Sequence, residues 1–193
     1  MATAYKILIM GASYGSLLGT KLALAGHTVK LVCLPAEAEL INREGAIVRL
    51  PVKGREGLVE VNSSKLPGRL SAGGTTAFNP ADFDLVALAM QEPQYRSPGV
   101  RELLDAVAKS RVPCMSIINM PPLPYVKRIP GLDSAALAPA YTDAPAWESF
   151  APPFLTLRRP RPPTLPPPPP NATVPMLPLP PPSCPFPPPP PLS

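Results

Sequence analysis

The sequence predicts an α/β fold, a doubly wound and mostly parallel sheet, over residues 1–130 of the 193-residue chain. Three observations support this prediction. Short apolar runs recur along the chain, a glycine-punctuated turn follows the first run, and a helical pattern separates the first run from the second. Continuous apolar runs are typical of strands buried on both faces of a parallel sheet.

The first elements form a βαβ pattern. Tyr5–Met10 is an apolar run that predicts a buried strand, and Gly11–Gly15 is a turn. Ser16–Ala25 carries leucines at helical spacing, and Gly26 ends this helix as a C-terminal glycine does. Thr28–Leu34 predicts the second strand. Strand, turn, helix and strand within about 30 residues indicate a Rossmann-like unit.

The same criteria assign the remaining elements of this domain. Alternation predicts an antiparallel pair, apolar runs predict further buried strands, and helical spacing predicts helices. The predicted elements are a helix at Ala36–Arg43, strands at Ala46–Pro51 and Gly57–Val61, a turn-rich stretch at Leu66–Pro80, a strand at Phe83–Met90, a helix at Pro98–Ser110, a strand at Val112–Asn119 and a helical turn at Pro122–Ile129.

The composition changes sharply after Glu148, the last acidic residue. Residues 151–193 hold 21 of the 34 prolines. Proline runs form neither helices nor central strands, so we expect a disordered, extended tail there. Residues 131–150 are then a linker toward a helical domain that this chain lacks. The tail is either a ligand for SH3- or WW-like domains or a GC-rich coding sequence translated out of frame.

Charge and cysteine content exclude several classes of protein. The net charge is +5, of which the tail contributes +3, and no basic cluster interleaved with aromatic residues indicates nucleic-acid binding. No apolar run reaches the roughly 18 residues that a membrane span needs. There are three cysteines, an odd count without C-x-x-C spacing, and Cys33 and Cys114 lie in apolar runs, which indicates core thiols in a reducing cytoplasm.

The turn GASYGS, Gly11–Ser16, is the strongest candidate site. After a first parallel strand, such a turn and the following helix N-terminus bind the pyrophosphate of a dinucleotide. The usual motif is G-x-G-x-x-G, whereas Ser13 stands at the second glycine and Gly15 comes one residue early. The alternative is a turn that only packs the helix on the sheet. Likewise, Ser16 either donates to a phosphate or caps the helix.

The end of the second strand does not choose between NAD and NADP. An acidic residue there favours NAD, and an arginine nearby favours NADP. This sequence has Leu34 at that point, Glu37 slightly later, and Arg43 as the nearest arginine downstream. The cofactor is therefore expected to be NADP or NAD, without a choice.

Two enzyme families begin with a similar turn. Short-chain dehydrogenases need a tyrosine followed four residues later by a lysine, and none of the five tyrosines here has one. The chain more closely resembles the ketopantoate reductase (2-dehydropantoate 2-reductase) family over residues 5–130. The similar segments are the first strand and turn, AGHTVKLV, INREGAIVRL, DFDLVALAM and SIIN. The resemblance implies an NADP-dependent oxidoreductase with a second, helical domain.

The resemblance also assigns individual positions. The family's strand-end arginine, lysine and asparagine fall at Leu34, Gln91 and Asn119. Its catalytic lysine and a substrate-binding glutamate belong to the second domain, so we assign no catalytic residue here, and no metal ligand. The predicted cofactor-binding residues are Gly11, Ala12, Ser13, Tyr14, Gly15, Ser16, Gln91 and Asn119.

Two functions remain open at this point. One is the NAD(P)-binding domain of an oxidoreductase that, in a complete chain, transfers hydride to a small 2-oxo acid or related carbonyl. On that hypothesis the chain as written is truncated and inactive. The alternative is a non-catalytic dinucleotide-binding module whose tail recruits SH3- or WW-like partners. Self-association is also expected, through apolar surface left exposed around Ile117, Ile118, Leu123 and Tyr125.

Overall fold

The computed structural model describes residues 3–150 and the backbone of residues 155–157. The predicted disordered tail, apart from residues 155–157, lies outside the described residues. The strands are β1 (Lys6–Met10), β2 (Thr28–Val32), β3 (Ile47–Pro51), β4 (Leu58–Asn62), β5 (Arg69–Gly73), β6 (Leu85–Leu88), β7 (Cys114–Ser116) and β8 (Leu155–Leu157). The α-helices are α1 (Gly15–Leu24), α2 (Pro35–Glu44), α3 (Val100–Ser110), α4 (Leu123–Val126) and α5 (Ser134–Leu137).

Six of the described strands form one parallel sheet. Their order is β5-β2-β1-β6-β7-β8, and every neighbouring pair runs parallel. β3 and β4 form a separate antiparallel pair. The predicted Rossmann-like, doubly wound fold is confirmed. In such a sheet the strand order reverses beside the first strand, here between β1 and β6.

Both faces of the sheet are covered, which explains why the strands are apolar throughout. On β1, Leu8 and Met10 belong to one core cluster, and Ile7 and Ile9 belong to the other. The first cluster packs against α3, and the second packs against α1 and α2. Successive side chains of a strand point to opposite faces, so the absence of polar alternation in β1 follows from this double burial.

The stretch Leu66–Pro80, predicted to be turn-rich, contains the edge strand β5. This strand pairs with β2 in the register Leu31↔Ala72. Asn42 of α2 also bonds to it: Nδ2 donates to the Ala72 carbonyl at 2.8 Å, and Oδ1 accepts from the Ala72 N–H at 2.8 Å. An edge strand needs only part of its length to be apolar. The sequence of β5, RLSAG, therefore lacks the apolar run that predicts a strand.

The segment 131–150, predicted to be a linker, contributes side chains to the core. Tyr141, Trp147 and Phe150 are buried in the cluster that packs on α3. The carboxylate of buried Glu92 accepts two hydrogen bonds from Thr142. The backbone N–H of Thr142 donates at 3.0 Å, and the hydroxyl of Thr142 donates at 2.6 Å. These contacts fasten the segment to the sheet.

Two of the apolar side chains predicted to be exposed are covered. Ile118 is 8% exposed and Leu123 is 3% exposed, and both belong to the cluster that contains Trp147. The prediction that these two side chains are exposed is therefore wrong, and self-association stays a prediction. The cause is the packing of Tyr141, Trp147 and Phe150 against them, in a segment predicted to be a linker.

We expect Trp147→Ala to destabilise the fold by about 3–5 kcal/mol, because a fully buried aromatic side chain leaves a large cavity. Trp147 is 2% exposed, and its indole N–H has no hydrogen-bond partner within the described residues. Trp147→Phe should therefore cost much less. Urea unfolding followed by circular dichroism measures both.

Leu132→Ala is the matched control, because Leu132 lies in the same segment and is 43% exposed. Its effect should stay within about 0.5 kcal/mol. If Trp147→Ala is as mild as this control, residues 141–150 do not form part of the folded domain.

Candidate functional site

The glycine turn lies at the centre of the carboxyl edge of the sheet. β1 ends at Met10, the Gly11 N–H donates to the Val32 carbonyl of β2 at 2.8 Å, and α1 begins at Gly15. The turn therefore lies between the ends of β2 and β6, where the strand order reverses. Ligands of open α/β sheets bind in the crevice at this point.

Gly11 and Gly15 each permit a close approach, but for different partners. Gly11 has φ +105°, and a Cβ atom there would lie 2.7 Å from the Ala89 carbonyl oxygen. At Gly15 a Cβ atom would lie 2.8 Å from Cγ2 of Ile9, so this glycine lets α1 pack closely on β1. These correspond to the tight-turn and helix-packing roles of glycines in dinucleotide motifs. Gly11 and Gly15 are separated by one residue fewer than the first and last glycines of G-x-G-x-x-G, and they still fill both of these roles.

The turn presents backbone donors that no other group of the described residues uses. The N–H groups of Ser13, Tyr14 and Gly15 have no hydrogen-bond acceptor among the described residues. Ser13 and Tyr14 are exposed. Free N–H groups at a helix N-terminus, together with the positive end of the helix dipole, favour an anion. The arrangement suits a phosphate or pyrophosphate group.

Ser16 is not the helix cap. Its backbone N–H and its hydroxyl both donate to the Ala12 carbonyl, at 2.8 and 2.5 Å. Tyr14 occupies the N-cap position and makes no capping hydrogen bond. The Ser16 hydroxyl therefore holds the turn closed, while the Ser13 hydroxyl has no partner among the described residues and stays available.

The structure brings Gln91 to the glycine turn. The Gln91 amide Nε2 donates to the Tyr14 hydroxyl at 2.9 Å, which links the segment after β6 to the glycine turn. The backbone of Gln91 is fixed by Gln94, whose Oε1 accepts from its N–H at 2.7 Å. The preceding N–H, of Met90, donates to the buried Tyr95 hydroxyl at 3.2 Å. The role of Tyr95 has no signal in the local sequence, because only the fold brings its hydroxyl to this point.

Asn119 is not part of this hydrogen-bonded group. It is exposed, follows β7 by three residues, and is not hydrogen-bonded to Gln91 or to the turn. Next to it begins an apolar cavity of about 540 Å³, lined by residues that include Met120, Tyr125 and Tyr141. The Tyr141 hydroxyl donates to the Pro121 carbonyl at 2.5 Å and so fixes one wall of this cavity.

The end of β2 carries a carboxylate. Glu37, in the first turn of α2, reaches back so that Oε2 accepts from the Leu34 N–H at 3.4 Å. Leu34 itself is 70% exposed. Burial and the negative charge of Glu37 raise the pKa of the Cys33 thiol from 9.0 to about 11. Although Glu37 comes late in the sequence, its carboxylate therefore lies at the strand end.

The described residues contain neither a cluster of metal-binding side chains nor a helix that could span a membrane. No group of three or more His, Cys, Asp or Glu side chains among them is placed to bind a metal. No helix within residues 3–150 is long and apolar enough to cross a bilayer.

The strand order and the helices on both faces define a Rossmann-like α/β fold, and comparison with solved structures agrees. A structure from Ralstonia solanacearum MolK2, assigned as a ketopantoate reductase, superposes with a TM-score of 0.52 at 20% sequence identity. The match covers 81% of this chain and 46% of that one. At this identity the likeness shows the fold alone.

A second structure is assigned as a 2-dehydropantoate 2-reductase from Bacillus subtilis. It matches with a TM-score of 0.41 at 19% identity, over 66% of this chain and 38% of that one. The chain thus spans less than half the length of either protein. No protein-family model and no curated protein sequence matches it.

Gly11→Ala should cost about 2–4 kcal/mol, because the new Cβ atom is strained at positive φ and meets the Ala89 carbonyl. Gly54→Ala separates the two effects, since Gly54 has φ +83° with no described atom within 4 Å of a Cβ. It should cost only about 1–2 kcal/mol. Urea unfolding of both variants measures the difference, and equal losses would mean that the close approach at Gly11 is unimportant.

Glu37→Gln should speed alkylation of Cys33 severalfold at pH 8. Removing the charge lowers the pKa of the thiol, which increases the thiolate fraction, and the thiolate is the nucleophile. Iodoacetamide labelling, followed by mass spectrometry of the Cys33 peptide, measures the rate. Glu39→Gln, an exposed position on the same helix, is the control. An unchanged rate in Glu37→Gln would place the carboxylate away from the strand end.

Proposed function

We propose that this chain is the nicotinamide-dinucleotide-binding part of an oxidoreductase of the ketopantoate reductase type. The observation that carries the proposal is that the N–H groups of Ser13, Tyr14 and Gly15, at the point where the strand order reverses, have no acceptor among the described residues. Pyrophosphate binding uses this combination of helix N-terminus and crevice. The fold shared with a structure assigned as a ketopantoate reductase supports the oxidoreductase class.

In this proposal each of the predicted residues has a separate task. The turn Gly11–Ser16 holds the pyrophosphate through backbone donors, with the Ser13 hydroxyl as a further donor. The Gln91 amide, anchored on Tyr14, lies beside the crevice and can orient the bound dinucleotide. Asn119 and the adjoining cavity are where we place a small carbonyl substrate such as a 2-oxo acid.

A bound, reduced nicotinamide would supply the hydride for reduction of that carbonyl. The proton must come from another group, because the side-chain amides of Gln91 and Asn119 do not titrate near neutral pH. We therefore expect these residues to bind and orient, and we expect the 193-residue chain to bind a dinucleotide with little or no turnover. The free thiols of Cys33 and Cys114 support a reducing compartment such as the cytoplasm.

The proposal predicts that Ser13→Glu weakens dinucleotide binding about tenfold or more, since like charges in a binding site cost several kcal/mol. Titration of the full chain with NADH and with NADPH, followed by nicotinamide fluorescence, measures the dissociation constants. Ala81→Glu is the control, because it adds the same charge at an exposed position just before β6, at the opposite edge of the sheet.

Two results would refute the proposal. One is that neither NADH nor NADPH binds to the folded chain. The other is that Ser13→Glu and Ala81→Glu weaken binding equally, which would indicate a general effect of charge and not a site at the glycine turn.

A further inference from the structure

The end of β2 is suited to distinguish between the two nicotinamide dinucleotides, an inference that rests on the proposed dinucleotide site. β2 is hydrogen-bonded to the glycine turn through the Val32 carbonyl. In this fold the ribose next to the adenine lies at the end of the second strand when the pyrophosphate binds at the turn. Groups at Leu34–Glu37 would therefore be near the ribose 2′ position of a bound dinucleotide.

Glu37 presents an acceptor at this position. Its Oε2 atom receives the Leu34 N–H, which turns the carboxylate back over the strand end. Its Oε1 atom has no hydrogen-bond partner within the described residues, and the side chain is exposed. A carboxylate oxygen accepts hydrogen bonds but donates none, so it suits the hydroxyl of a ribose. A 2′-phosphate would meet it as a like charge.

Near the end of β2 in the sequence, no lysine or arginine is available to offset the negative charge of a 2′-phosphate. Between residues 31 and 42 the only charged residues are Glu37 and Glu39, and residues 70–95, which include the end of neighbouring β5, contain no lysine or arginine. Arg43, the nearest arginine downstream, pairs with Glu44 at 2.7 Å. Lys30, within β2, donates to the Ser71 hydroxyl at 2.6 Å.

The helix dipole does not offset this charge pattern. A phosphate could in principle bind at the N-terminus of α2, as anions do at helix N-termini. Glu37 already occupies the first turn of α2 and interacts favourably with the positive end of its dipole. A 2′-phosphate would have to compete with this carboxylate for the same positive end.

We propose that the site binds NAD(H) in preference to NADP(H), and that Glu37 is the residue that sets this preference. Its carboxylate accepts a hydrogen bond from the ribose 2′-hydroxyl and repels a 2′-phosphate. Residues 31–42 and 70–95 contain no lysine or arginine, so these stretches of the described chain supply no cation at the strand end to hold the phosphate.

The test compares NADH and NADPH binding to the full chain by fluorescence titration at low salt. We expect NADH to bind at least about tenfold more tightly, because a close pair of like charges costs several kcal/mol. Glu37→Gln should narrow the ratio, and Glu37→Arg should reverse it. Glu39→Gln, which removes an equal charge from an exposed position on the same helix, should leave the ratio unchanged.

The possible outcomes separate this inference from the proposed function. If the wild-type chain binds NADPH as tightly as NADH, or if Glu37→Gln and Glu39→Gln have the same ratio, the preference assigned to Glu37 is wrong while dinucleotide binding stands. If circular dichroism shows that the chain is folded and neither cofactor binds to it, the proposed function fails, and the assignment of Glu37 fails with it. Loss of the preference at high salt would support charge repulsion as its cause.

Discussion

The site depends on the close contact between the first strand and the exit of β6. With a hydrogen as its side chain, Gly11 lies against the Ala89 carbonyl, where a Cβ atom would be 2.7 Å from the oxygen. This contact holds the ends of two central strands together and directs the backbone into α1. The free N–H groups of the turn and the amide of Gln91 then lie around one crevice. A Cβ atom at this position would force one of the two backbone segments to shift.

Much of the fold follows from local patterns because the sheet is buried on both faces. The apolar runs at β1, β2 and β6 predict strands regardless of what packs on them, and the glycines at the ends of α1 mark its limits. The edge strand β5 lacks this pattern. It forms because β2 and the side chain of Asn42 offer hydrogen bonds to it, and such partners are visible only in three dimensions.

The segment that contains Trp147 likewise packs through partners that no local sequence pattern reveals. Its buried residues have no helical or strand period, so composition made it look like a linker. The buried Glu92 carboxylate, 50 residues away from Thr142, fixes its position. At the site, the glycine turn was predictable from the sequence. The hydrogen bond between Tyr14 and Gln91, which are 77 residues apart, was not. The reach of Glu37 back to Leu34 depends on the geometry of a helix first turn.

The paired hydrogen bonds between Asn42 and Ala72 oppose self-association through the edge of the sheet. β5 is an outer strand, and outer strands expose backbone groups that can recruit a strand from another molecule. The Asn42 amide occupies both the N–H and the carbonyl of Ala72, as a neighbouring peptide group would. An incoming strand would have to displace this amide before it could pair along the middle of β5. One side chain of α2 thereby protects this border of the sheet from intermolecular β-sheet growth.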